Sequence, residues 1–66
     1  MYIVIELQKN MAGAVSNLVT CHDTLAEAES KFYSVLAAAA VSDLPSHSAA
    51  ILSEEGFPVR HQGYKH

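Results

Sequence analysis

The sequence predicts an α+β domain of pattern ββαββ: one four-stranded, mainly antiparallel sheet with a single helix packed on one face. Three observations carry that prediction. Residues 24–41, TLAEAESKFYSVLAAAAV, show the three- and four-residue apolar spacing of an amphipathic helix. Residues 2–8 and 14–22 alternate with the two-residue rhythm of strands, and after the helix come a third strand, 47–54, and a weaker fourth, 57–64. Finally, 66 residues with no repeat, linker or low-complexity tract beyond the alanines describe a single domain, 1–66.

In the first strand β-branched residues dominate, with Ile3, Ile5 and Leu7 set against Tyr2, Val4 and Glu6. Asn10 and Gly13 supply turn chemistry in the loop 9–13, and the short connection makes strands one and two an antiparallel hairpin. Along the second strand Val15, Val19 and Cys21 share one face, and Leu18 and Thr20 the other.

Thr24 and Glu27 have the spacing of a capping box, each side chain satisfying the other's backbone N–H. Asp23, Glu27 and Glu29 add negative charge at the positive end of the helix dipole. Leu25, Ala28, Phe32, Val35, Leu36 and Ala39 make the apolar stripe; Glu27 and Lys31, on another side, form an i,i+4 pair. Ala37 to Ala40 are strong helix formers small enough to lie close against a sheet. Leu44 precedes Pro45, so the helix ends by Asp43.

Ala49 and Ile51 lie on one face of the third strand, Ala50 and Leu52 on the other, and Glu55-Gly56 marks the following turn. Pro58 and the polar run Arg60, His61, Gln62 suit an edge position for the fourth strand, with Val59 as its apolar anchor. The apolar character of strands one and three favours sheet order 2-1-3-4. The protein G-like order 2-1-4-3 ranks second because it would put the polar fourth strand in the centre.

One helix covers one sheet face, and the expected covered set is Ile3, Ile5, Leu7, Val15, Val19, Ile51 and Val59. The other face would then present Tyr2, Val4, Leu18, Ala50, Leu52 and Tyr64, a contiguous apolar patch of the kind that marks an interface. Small domains compensate a limited core by disulfides, metals, oligomerisation or close packing. The single cysteine excludes an internal disulfide, and no Cys-x-x-Cys or His-Glu-x-x-His motif is present. The expected partner is therefore a second copy, in a homodimer or larger assembly.

A net charge of −3 gives no general attraction to nucleic acid or anionic membranes. Arg60, His61, Tyr64, Lys65 and His66 form the only basic and aromatic cluster, too small to make nucleic acid the favoured partner. Cys21, His22 and Asp23 name a nucleophile, base and orienter, but strand neighbours point to opposite faces, so Cys21 is expected to be a small buried hydrophobe or an inert thiol at the strand end. His22, His47, His61 and His66 lack ligand spacing and are expected to be solvated, as are Glu54 and Glu55 in their turn. No catalytic residue, metal ligand or cofactor is assigned. The run YIVIEL is too short and lacks the basic leader of a signal peptide, which points to cytoplasmic synthesis.

The segments AESKFYSVLAAAAVS and HSAAILSEEGFPVRHQGYKH resemble a group of short proteins of phages and prophages from gut-type Gram-positive bacteria. These share a helix ending in an alanine run, a His-Ser-Ala strand and a Glu-Glu-Gly-Phe turn. The resemblance implies a structural or accessory role, in the host cytoplasm or the virion and beside other phage proteins, and brings no catalytic residues. The leading expectation is thus a non-enzymatic, self-associating structural or interaction module. Two alternatives come from other classes: an enzyme or ligand-binding protein whose pocket forms between subunits and recruits Cys21 or His61, and a weak nucleic-acid accessory protein.

Overall fold

The computed structural model describes residues 1–66. It contains β1 (Tyr2–Lys9), β2 (Val15–His22), α1 (Leu25–Ala40), β3 (Ser46–Ser53) and β4 (Pro58–Lys65). The strands form one sheet in the order β2-β1-β3-β4, with every neighbouring pair antiparallel. The two most apolar strands are central, as their composition predicts.

Both hairpins turn through the same device. The Asn10 N–H donates to the Ala14 carbonyl at 3.0 Å and the Gly13 N–H to the Asn10 carbonyl at 3.0 Å; Ser53, Gly56 and Phe57 repeat the pattern at 2.8 and 2.9 Å. Asn10 Oδ1 also accepts from the Ala12 and Ala14 N–H groups, and Ser53 Oγ accepts from the Phe57 N–H. Each three-residue loop closes on a residue with positive φ, 86° at Gly13 and 91° at Gly56, a conformation costly for any residue with a Cβ.

Helix α1 begins as its sequence dictates. Thr24 is extended, and its Oγ1 accepts from the Glu27 N–H at 3.2 Å. The reciprocal half of the capping box is not made. Thr24→Ala removes the acceptor and is expected to lower stability by about 1 kcal/mol. Urea denaturation checks this: an unchanged midpoint would mean that the cap contributes nothing.

Strands β2 and β3 both run antiparallel to β1 and therefore parallel to each other, so α1 is the crossover between them. Such crossovers are right-handed in nearly all sheets, and the hand selects the face that the helix covers. The register pairs Val4 with both Thr20 and Ile51. Side-chain alternation then groups Tyr2, Val4, Glu6 and Gln8 with Leu18, Thr20, His47, Ala49 and Ile51 on the helix side. The core consists of Val4, Ala28, Phe32, Val35, Ala49 and Ile51, with Tyr2, Leu25 and Leu36 packed against it. Ala28 and Ala39 are wholly buried, whereas Ala37, Ala38 and Ala40 face outward, so only one residue of the alanine run makes the close approach to the sheet.

This grouping corrects the expected covered face. Ile51 lies under the helix as expected, but Ile3, Ile5, Leu7, Val15 and Val19 lie on the opposite side. Val59 is not a core anchor: the β3–β4 register pairs Ile51 with Arg60 and Leu52 with Pro58, leaving Val59 as the extra residue of a bulge, 41% exposed. Further along β4, a Cβ on Gly63 would come 2.7 Å from the Ser48 Cβ, so glycine there lets the two strands approach.

Candidate functional site

The sheet face away from α1 is an uncovered apolar feature that runs across the sheet. Its central strand contributes Ile3, Ile5 and Leu7. The register places Val19 beside Ile5 and Cys21 beside Ile3 on β2, and Ala50 beside Ile5 and Leu52 beside Ile3 on β3. Leu7 is 41% exposed, Val15 63% and Val19 53%, while Ile3, Ile5, Ala50 and Leu52 are half-buried by one another. Lys9 and Lys65 are exposed on the same face at one end. Toward β4 the face dips into a shallow hollow of 510 Å³, lined by Leu7, Ser48, Ala50, His61, Gly63 and Lys65 among others. Small side chains at Ser48, Ala50 and Gly63 make that depression.

Of the six interface residues read from the sequence, Ala50 and Leu52 belong to this open face. Val4 does not: it is 1% exposed beneath the helix, beside Ile51. Tyr2 packs against the same core, and Tyr64 and Leu18 lie on the helix side. Leu18 stays 63% exposed because α1 lies mainly over β1 and β3.

Beneath the helix lies a polar cluster that composition and spacing did not reveal. His47, expected to be solvated, is 4% exposed. Its Nε2 lies 2.6 Å from Glu6 Oε2, and Gln8 Nε2 donates to the same oxygen at 3.0 Å. A carboxylate only accepts, so His47 Nε2 carries a proton and donates it to Glu6. Gln8 Nε2 and His47 Nε2, 3.4 Å apart, are then two donors converging on one acceptor. His47 Nδ1 is buried without a partner. Alternation puts Glu6 and Gln8 on the strand face of Val4, but that Val4 is core, and hence that this face is buried, comes from the structure alone.

Burial disfavours the charged form of Glu6, but the hydrogen bonds from His47 and Gln8 and the positive charges of His47 and Lys31 outweigh it. The carboxyl therefore titrates below its ordinary 4.5. Its contribution to stability is whole above that value and is lost as pH falls through the lowered pKa. Between pH 7 and pH 3 the wild type should accordingly lose more stability than Glu6→Gln, measured by urea midpoint. Parallel acid profiles of the two would contradict the assignment.

The remaining chemistry-bearing residues are dispersed. Cys21 is exposed on the open face, whereas the neighbouring His22 points to the helix side and meets Thr20 Oγ1 at 2.9 Å. His61 shares the open face with Cys21, but β1 and β3 lie between their two edge strands. The basic cluster divides: Arg60 Nε donates to Glu29 at 3.0 Å and His66 Nε2 meets the Ala39 carbonyl at 2.9 Å, both toward the helix, while His61 and Lys65 lie on the open face. Tyr64 and His66 stack with centroids 6.3 Å apart. No three His, Cys, Asp or Glu side chains come together as metal ligands. No helix is long and apolar enough to cross a membrane. Compared with known proteins, the chain matches no family model, no curated protein and no solved structure.

Proposed function

We propose that this chain is a self-associating structural or interaction module, without enzymatic activity, whose working surface is the open face of the sheet. The observation that carries the reading is the uncovered apolar set Ile3, Ile5, Leu7, Val15, Val19 and Leu52, which continues across three adjacent strands. A face of four eight-residue strands measures about 27 by 19 Å, on the order of 500 Å². Two copies stacked face to face would bury roughly 1,000 Å² in total, the lower bound for a specific interface. At about 25 cal/mol per Å² of apolar area, even half of that contributes about 12 kcal/mol gross, before the entropic cost of association, more than the roughly 3–5 kcal/mol that the core of so small a domain supplies. A two-fold contact is the default for identical chains. The separation of Cys21 from His22 across the sheet supports a non-catalytic role. The resemblance to short phage proteins supports placing that role among accessory or virion-associated functions.

Light scattering coupled to size exclusion tests this reading. The wild type should elute as a dimer or larger at micromolar concentration. Ile5→Lys, which puts a charge at the centre of the face, should reduce that assembly, while Lys9→Glu at its rim should change it little. A wild-type monomer at high concentration, or an assembly indifferent to Ile5→Lys, would overturn the proposal.

A further inference from the structure

The two edges of the sheet differ in a way that points to a second contact surface, independent of the open face. Edge strands are normally blunted by proline, charge or a bulge, because their free N–H and C=O groups invite another strand. β4 carries all three: Pro58, the bulge at Val59, and the cations Arg60 and Lys65. β2, VSNLVTCH, has no proline, no bulge, no Asp, Glu, Lys or Arg, and an unbroken eight-residue register with β1. Six of its eight residues are exposed.

Which of its backbone groups are free follows from the hairpin. The Asn10 N–H bonds to the Ala14 carbonyl, making these two a hydrogen-bonded pair. Antiparallel pairs alternate, so Ser16, Leu18, Thr20 and His22 spend their backbone groups on β1. Val15, Asn17, Val19 and Cys21 direct theirs outward.

We propose that β2 pairs antiparallel with β2 of a second copy across a two-fold axis at Leu18, joining two sheets into one of eight strands. That register alone matches all four outward-facing residues with their equivalents: Val15 with the partner's Cys21, and Asn17 with the partner's Val19. It forms about eight backbone hydrogen bonds. Leu18 falls on the axis as a close, non-hydrogen-bonded pair, so its exposed side chain is covered by that of the partner's Leu18. Ser16 meets the partner's Thr20, a favourable cross-strand pair. With no Asp, Glu, Lys or Arg in the strand, no like-charge pair opposes the contact.

Cysteine cross-linking tests both the contact and its register. In a Cys21→Ser background, Leu18→Cys should convert to disulfide-linked dimer under mild oxidation, because the paired Cα atoms approach to about 4.5 Å. Ser16→Cys should cross-link at least tenfold more slowly, its twin lying about 13 Å away along the strand. Adding Asn17→Pro, which removes an outward N–H that β1 does not use, should suppress the Leu18→Cys dimer. Far-UV circular dichroism checks that the fold survives, as edge positions of this kind tolerate proline. Adding Ile5→Lys should leave the cross-link in place. Equal rates for the two cysteine variants overturn the register. A Leu18→Cys dimer abolished by Ile5→Lys but untouched by Asn17→Pro assigns the contact to the open face and overturns edge pairing. An assembly sensitive to Ile5→Lys with no Leu18→Cys cross-link sinks the edge proposal alone, leaving the open-face reading standing.

Discussion

Phe32→Ala is expected to unfold most of the protein at room temperature. Phe32 is the largest side chain in the core and is 3% exposed. It holds α1 against Val4, Ala49 and Ile51, and its ring meets Tyr33 edge-on with centroids 5.2 Å apart. Truncating a buried phenylalanine costs about 3–5 kcal/mol, through lost transfer energy and the cavity left behind. The other helix residues in the cluster, Ala28 and Val35, cannot collapse into that space. A domain of this size has little more than that amount in hand. Circular dichroism and urea titration at fixed protein concentration provide the check, because association also adds to apparent stability. A cooperative transition within about 1 kcal/mol of wild type would show that the helix is held by something other than this core.

The second large effect concerns the buried pair beneath the helix. The side chains of His47 and Glu6 are only 5% and 13% exposed. His47→Leu removes the donor 2.6 Å from Glu6 Oε2 and leaves the carboxylate with Gln8 as its remaining hydrogen-bond donor. Breaking one side of a buried pair costs about 3–5 kcal/mol, since the remaining charge stays desolvated. Glu6→Leu/His47→Leu removes the charge, the imidazole and its unpartnered Nδ1 together. The double variant should therefore recover most of the loss and reach or exceed wild-type stability. Two single losses that simply add in the double variant would show that the residues act independently.

Much of the fold was legible in the sequence because its signals are local. The Thr24 cap, the stripe from Leu25 to Ala39, the turn residues Asn10, Gly13 and Glu55-Gly56, and the alternation along residues 2–8 each depend on neighbours a few positions away. They determined the five elements to within about one residue, and the polarity of residues 58–65 against the apolar 2–7 determined which strands are central. The covered face was a different matter. On β1 both alternating sets are apolar, and Ile3, Ile5 and Leu7 outweigh Tyr2 and Val4, yet Val4 is the residue under the helix. Alternation shows that two faces exist but carries no sign. The sign comes from the hand of the β2-α1-β3 crossover and from the register that sets Val4 beside Ile51, both properties of the assembled chain. The same holds for the Glu6–Gln8–His47 cluster: its members are 39 and 41 positions apart in sequence, and only the β1–β3 pairing brings them to one buried oxygen. The sequence by itself thus determined the elements and their order. The tertiary structure decided which apolar surface became core, which was left open, and which histidine was buried.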